Sequence, residues 1–111
     1  GMPGASNLKD DVRILDLLKK MAIAGKYTAA ICAAPMVLAE AGLLKGKQAT
    51  SYPGFLDALP GVTVSAAAVV QDGKVLTSRG PGTAMDFALA LVEALVGSEK
   101  RQQVEAALVR P

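Results

Sequence analysis

An α/β layered fold with a largely parallel sheet is the architecture this sequence predicts, on three observations. Apolar runs with helical spacing alternate with short β-branched or alanine-rich runs along the chain. The first such strand, 27–32, has no polar face, as expected of a strand covered on both sides. At Ile31-Cys32-Ala33-Ala34-Pro35 that strand passes through a few small residues into a proline-initiated helix, a strand, a tight turn and a helix start in succession.

Taken in order, residues 1–7 read as loop. From Leu8 the apolar positions Leu8, Val12, Leu15, Leu18 and Ala22 recur at three- and four-residue steps, with Ser6 or Asn7 as cap, Asp10 and Asp11 in the first turn and Lys19 and Lys20 near the end. This predicts helix 8–24, stopped by Gly25. Strand 27–32 and helix 34–43 follow, the helix closing at Gly42. A short strand at 48–52 is halted by Pro53-Gly54, and Phe55 to Leu59 make at most a short helix before Pro60-Gly61.

Residues 62–70 read as a β-branched and alanine-rich strand, Asp72-Gly73 as a hairpin turn, and 74–77 as the returning strand. Helix 85–96 carries Phe87, Leu91 and Leu95 beside Ala84, Ala88 and Val92, so it is apolar on most sides and is expected to be well buried. Gly97 ends it. Ser98 with Glu99 restarts the chain as a short final helix marked by Val104, Ala107 and Leu108. Asp57 and Asp86 read as solvated or capping charges.

With 111 residues, 51% of them apolar, the chain is at most one domain and has enough Leu, Val and Ala for a core. Twelve Lys and Arg stand against ten Asp and Glu, a net charge of +2 without a basic cluster, which weighs against nucleic acid as a partner. One Cys and no His leave neither an internal disulfide nor a Cys/His zinc site, so no metal or other cofactor is expected and a reducing cytoplasm fits best. No stretch reads as a membrane span or signal peptide.

The chemistry is expected at Cys32. Placed just ahead of a helix, its thiol faces unpaired backbone N–H groups and the positive end of the helix dipole, which favour thiolate. Small neighbours allow a close backbone approach, as in a nucleophile elbow with a strained turn. The plainer reading is a small buried hydrophobe.

Three segments resemble the ThiJ/PfpI superfamily: Ala29-Ala30-Ile31-Cys32-Ala33-Ala34-Pro35, Leu76-Thr77-Ser78-Arg79-Gly80-Pro81-Gly82-Thr83, and the Phe87-Ala88-Leu89-Ala90 helix. The nearer branch is that of the parkinsonism-associated deglycase and its bacterial relatives. Gly1-Met2-Pro3-Gly4-Ala5 is similar to that branch's Gly-rich turn, and Gln102-Gln103-Val104 with Leu108-Val109 to its C-terminal helix and tail.

The resemblance implies a flavodoxin-like, class I glutamine-amidotransferase-like sandwich of which residues 1–111 are the C-terminal portion. It implies that Cys32 is the nucleophile and the oxidation-sensitive thiol, with Gly1 and Ala33 supplying oxyanion N–H groups. Tyr52 falls where some members place a histidine and others an aromatic residue; without His, a Cys–His dyad is excluded. Arg79, Gly80, Pro81 and Gly82 match a loop that reaches the thiol pocket and the dimer interface in relatives.

Members also carry about seventy residues before the Gly-rich turn, including a glutamate that bonds the cysteine. The expectation is therefore a companion polypeptide supplying the N-terminal half, and a homodimer. Alone, the chain is expected to expose apolar surface, to aggregate or be molten, and to show no turnover. The functional expectation is a cysteine-dependent deglycase or glyoxalase-like protein acting on methylglyoxal or glyoxal and on glycated proteins. A non-enzymatic redox sensor or chaperone-like stress protein is the alternative, and an inactive structural fragment the third.

Overall fold

A computed structural model describes residues 1–111. Ten regular elements follow one another: α1 Gly4–Lys9, α2 Val12–Ile23, β1 Thr28–Ile31, α3 Pro35–Glu40, β2 Lys47–Ala49, β3 Val62–Val64, β4 Val69–Asp72, β5 Val75–Ser78, α4 Ala84–Val96 and α5 Ser98–Leu108. A 3₁₀ turn, Pro81–Thr83, precedes α4.

The sheet is built around β5, buried along its whole length. β1 runs parallel to it in the register Thr28 to Val75 through Ile31 to Ser78, and β4 pairs antiparallel on its other side. β2 and β3 form a separate parallel pair. The fold is thus flavodoxin-like α/β with parallel pairing at its centre. In this sheet β1 is an edge strand, and Ala29 is exposed, so the expectation of neighbours on both sides of this strand is not met within these residues.

The main core gathers Ala30, Leu38, Leu44, Ala49, Leu56 and Val75 from both sheets and α3. A second cluster of Ala5, Ala33 and Val37 seats α1 against the turn after β1. Burial of these side chains stabilises the fold at roughly 25 cal/mol per Å² of apolar area removed from water.

Several local expectations are corrected. Helix 8–24 is two helices, and the segment expected as loop, 1–7, starts the first of them at Gly4. The break is chemical. Asp11 adopts an extended backbone (φ −98, ψ 109) and its carboxylate accepts the Arg13 N–H, so it caps a new helix instead of extending the old one. The end at Gly25 is as expected: Gly25 sits at φ 73 and the Lys26 N–H bonds the Met21 carbonyl, closing α2 in a Schellman-type turn.

The strand expected at 62–70 is split. Ser65 N–H still bonds the Ala49 carbonyl, but Ser65 Oγ then accepts the Ala67 N–H, and this local turn ends the ladder before β4 begins. The hairpin from β4 to β5 forms, with its two-residue loop at Gly73-Lys74 between the paired Asp72 and Val75, one residue later than the expected Asp72-Gly73, and Gly73 at φ 62 in the first loop position. Residues 55–59, expected to make at most a short helix, form turns, since five residues between two Pro-Gly pairs leave little room for helix nucleation.

Helix α4 is not buried all round. Leu89 is 1% exposed, but Met85, Leu95 and Val96 face solvent, Leu95 at 64%. α2 likewise exposes Val12, Leu17, Met21 and Ile23, the last at 87%, while Ile14, Leu15 and Leu18 pack inward. α5 crosses α4 and is held by Arg110–Asp86 (2.8 Å) and Arg101–Glu93 (3.1 Å). Such half-exposed pairs contribute about 0–1 kcal/mol each, so they orient α5 more than they stabilise it.

The Arg13 guanidinium, hydrogen-bonded at 2.7 Å, holds the Asp11 carboxyl down to about 2. A depressed folded-state value means the cap's contribution is complete above the unfolded carboxyl value, near 4, and is lost as pH falls through about 2. Asp11→Ala is therefore expected to lower Tm at pH 7 and to flatten the fall in helicity between about pH 4 and 2, as followed by circular dichroism. An unchanged acid profile would show the cap to be inconsequential.

Candidate functional site

β1, β2 and β5 all end on the same side of the molecule, since β1 and β5 are parallel and the Thr50 N–H, just past β2, bonds Thr77 Oγ1 near the end of β5. Loops at the carboxyl ends of parallel strands are where α/β sheets place ligands. Three such loops meet here, at 32–34, 50–52 and 78–83.

Cys32 is the residue directly after β1, three before α3. Its φ is +66, one of two non-glycine residues with positive φ, so the expected strained elbow is present. For an L-residue this left-handed conformation costs about 1–2 kcal/mol. Neighbouring loops impose it. The Cys32 N–H donates to the Ser78 carbonyl at 3.0 Å, and its own carbonyl accepts the Tyr52 N–H at 2.7 Å. Cys32 is half-buried and unbridged.

Ala33, buried at 2%, packs against Ala5 and Val37. Its backbone N–H donates to no protein acceptor, whereas the flanking amides of Cys32 and Ala34 are both bonded. A buried N–H left free beside a cysteine is an available hydrogen-bond donor. Gly1 lies in the turn whose carbonyl accepts the Ala5 N–H, and through Ala5 that turn reaches the Ala33 cluster.

Tyr52 is joined to the elbow by its backbone. Its ring is half exposed, stands edge-on to Phe55 at 6.2 Å, and lies against Gly80, where an added Cβ would be 3.6 Å from it. The 78–83 loop and Tyr52 are thus in van der Waals contact at Gly80. The structure thus brings Cys32, Ala33 and Tyr52 together. Arg79 is near through its backbone, but its guanidinium reaches the Ser65 carbonyl at 3.5 Å, and Pro81 is exposed at the start of the 3₁₀ turn.

Two residues that sequence reasoning left unassigned organise this loop. Thr83 Oγ1 accepts the N–H groups of Arg79 (3.2 Å) and Gly80 (3.0 Å). It also lies 2.7 Å from Ser78 Oγ and 2.9 Å from the Gly80 carbonyl, so its single proton serves one of these at a time. Ser78 supplies the carbonyl that holds the elbow, and its hydroxyl donates to Ala68. The sequence signal was a hydroxyl residue at each end of a Gly-Pro-Gly loop. No three His, Cys, Asp or Glu side chains are gathered to hold a metal ion, and no helix is long and apolar enough to cross a membrane.

Substitution separates thiol from backbone. Cys32→Gly relieves the left-handed penalty but adds unfolded-state entropy, so denaturant unfolding should place it within about 1 kcal/mol of the parent. Cys32→Val, β-branched and ill-suited to positive φ, should lose about 2 kcal/mol or more. Equal stability of the two variants would show that the elbow relaxes.

The profile of the DJ-1/PfpI family matches residues 1–94. Protein DJ-1 homolog B of Arabidopsis thaliana is 43% identical over 111 residues, covering 98% of this chain and 25% of the plant protein. Protein dj-1beta of Drosophila melanogaster is 43% identical over 98% of this chain and 59% of its own length. The crystal structure of the Drosophila DJ-1beta superimposes with a TM-score of 0.93 at 41% identity, covering all of this chain and 61% of that one. Oxidized Toxoplasma gondii DJ-1 gives 0.90 at 40% identity, over 98% of this chain and 60% of that one. The chain therefore spans from a quarter to about three fifths of these relatives. The match extends across the elbow, the loop after β5 and α4, and on that ground the chain belongs to the DJ-1/PfpI family.

Proposed function

We propose that these residues carry the nucleophilic part of a cysteine-dependent deglycase or glyoxalase-like site acting on methylglyoxal, glyoxal and their protein adducts. One observation carries the reading: a left-handed Cys32 at the carboxyl end of parallel strands, beside a buried Ala33 N–H with no protein acceptor.

In this reading Cys32 Sγ adds to the aldehyde carbon, and the carbonyl π pair moves onto oxygen. The Ala33 N–H, with that of Gly1, donates to the developing alkoxide, where a preorganised donor is worth most. Protonation gives a hemithioacetal. With methylglyoxal, a base moves the proton from the former aldehyde carbon to the adjacent carbonyl carbon by way of the enediol. Oxidation at one carbon balances reduction at the other, so no external oxidant or cofactor enters. Water then cleaves the thioester to lactate and frees the thiol. Tyr52, whose N–H bonds the Cys32 carbonyl, and the loop that holds Arg79, Gly80 and Pro81 are the residues this reading assigns to the substrate side of the thiol.

The proposal assigns the base to a carboxylate in the N-terminal half of the fold, carried by a preceding segment or a companion polypeptide, in a cytoplasmic homodimer. The open edge of β1 and the exposed apolar residues of α2 and α4 support such a covering half.

Lactate release from methylglyoxal tests the chemistry: with the N-terminal half co-expressed, turnover is expected to appear and light scattering to fall, and Cys32→Ser to return lactate release to background. Full turnover by Cys32→Ser would rule the nucleophile out.

A second reading, redox sensing by a chaperone-like stress protein through the same thiol, is favoured by the oxidized form in which the Toxoplasma relative was solved. It predicts that mild peroxide adds two oxygens to Cys32 before it oxidises Met2, Met21 or Met85, all of them exposed, while no lactate forms. Methionine sulfoxide accumulating on a reduced Cys32 would count against it.

A further inference from the structure

Thr83 stands where α4 begins and has the side chain of a helix cap, yet its hydroxyl caps nothing. A threonine in that place commonly accepts an N–H two or three residues ahead and so stabilises the helix. Here the hydroxyl is turned back into the loop that leaves β5. It accepts the N–H groups of Arg79 and Gly80, at 3.2 and 3.0 Å. Two accepted amides fill its lone pairs, so its proton is left to donate, to Ser78 Oγ at 2.7 Å or to the Gly80 carbonyl at 2.9 Å.

The two amides differ in what they stand to lose. That of Arg79 also reaches the Ala68 carbonyl, at 3.3 Å. Gly80 is a buried residue, and its N–H has Thr83 Oγ1 as its only acceptor. Without this hydroxyl a buried amide is orphaned, a cost the loop can relieve only by moving.

That loop carries both holds on Cys32. Ser78 supplies the carbonyl that takes the Cys32 N–H at 3.0 Å. Gly80 lies against the ring of Tyr52, whose own N–H bonds the Cys32 carbonyl at 2.7 Å. A cysteine at φ +66 keeps that conformation only while its surroundings impose it.

We propose that Thr83 is a positioning residue for the thiol. Its hydroxyl, withheld from the helix, fixes the 78–80 loop in the place from which Ser78 and Tyr52 hold Cys32 left-handed. It acts through Ser78 and Gly80. Its consequence for turnover rests on the cysteine chemistry proposed above, whereas its coupling to the Cys32 backbone does not.

Amide hydrogen exchange on the full chain reads that coupling. In the unsubstituted protein the Gly80 and Cys32 amides are expected to open together, with protection factors within about threefold of each other. Thr83→Val should speed exchange at both by about tenfold, the loss expected for one hydrogen bond, and leave the amides of α2 as they were. Thr83→Ser keeps the hydroxyl and should restore both. Asp86→Asn removes the Arg110 pair from the first turn of α4 but spares the Thr83 hydroxyl, and it should leave both amides unchanged. In the lactate assay with the N-terminal half co-expressed, Thr83→Val should lower kcat about tenfold and hold KM within about twofold, with Thr83→Ser returning kcat to the parent value.

Joint exchange of the two amides in a protein that releases no lactate would support the positioning and refute the cysteine reading. A Gly80 amide that exchanges far faster than that of Cys32 would overturn the proposal, as would acceleration of Gly80 alone by Thr83→Val, or equal effects of Thr83→Val and Asp86→Asn at Cys32. The first of these results needs no substitution, so a Thr83→Val chain that fails to fold does not rescue it.

Discussion

The backbone of one residue joins three parts of this molecule. Cys32 gives its N–H to the loop that leaves β5 and takes the N–H of the loop that leaves β2, and it does so in a left-handed conformation that an isolated chain would avoid. The two hydrogen bonds hold the elbow because both partners are themselves fixed. Ser78 is fully buried at the end of the central strand, and Tyr52 follows Thr50 and Ser51, which are buried against it. The strain at Cys32 is therefore carried by the parallel pairing of β1 with β5, and anything that shifts that register moves the thiol.

A polar seam runs under this elbow through an otherwise apolar core. Thr77 Oγ1 accepts the Thr50 N–H, Ser78 Oγ bonds Ala68, and Thr83 gathers the amides of Arg79 and Gly80. The Thr77 hydroxyl thus accepts an amide at the meeting of the two small sheets, the Ser78 hydroxyl satisfies a carbonyl, and Thr83 satisfies two loop amides. The amide of Ala33, in a buried residue and without a protein acceptor, adjoins the cysteine. Its freedom is what makes the elbow chemically suggestive, since a fully satisfied turn would leave no donor for a developing negative charge.

The two ends of the sheet differ in charge as well as in shape. At the carboxyl ends, small residues flank a half-buried cysteine whose carbonyl accepts the Tyr52 N–H. At the amino ends, Lys26, Lys47 and Lys74 lie beside a small cavity. The parallel β1–β5 pair, with β2 running alongside, separates the two, because it collects strand starts on one side and strand ends on the other. The apolar faces of α2 and α4 belong to neither end, and their exposure follows from a sheet whose first strand is paired on one side only.

By itself the sequence determined the parallel α/β character, the hairpin around Gly73, the helix stop at Gly25 and the elbow at Cys32, since each rests on local chemistry: spacing, a glycine free to take positive φ, a proline that opens a helix. The quoted motifs also carried the family. Tertiary structure alone decided the rest. The division of 8–24 turned on whether Asp11 capped or continued a helix, and that depended on Arg13 and on α1 packing through Ala5 against Ala33. The split of 62–70 depended on β2 being present to take β3, and the exposure of α4 on how little of the chain lies over it. Thr83, the free Ala33 amide and the lysine cavity have no periodic signature, because each is made by residues brought together from separate loops or left unpaired by them.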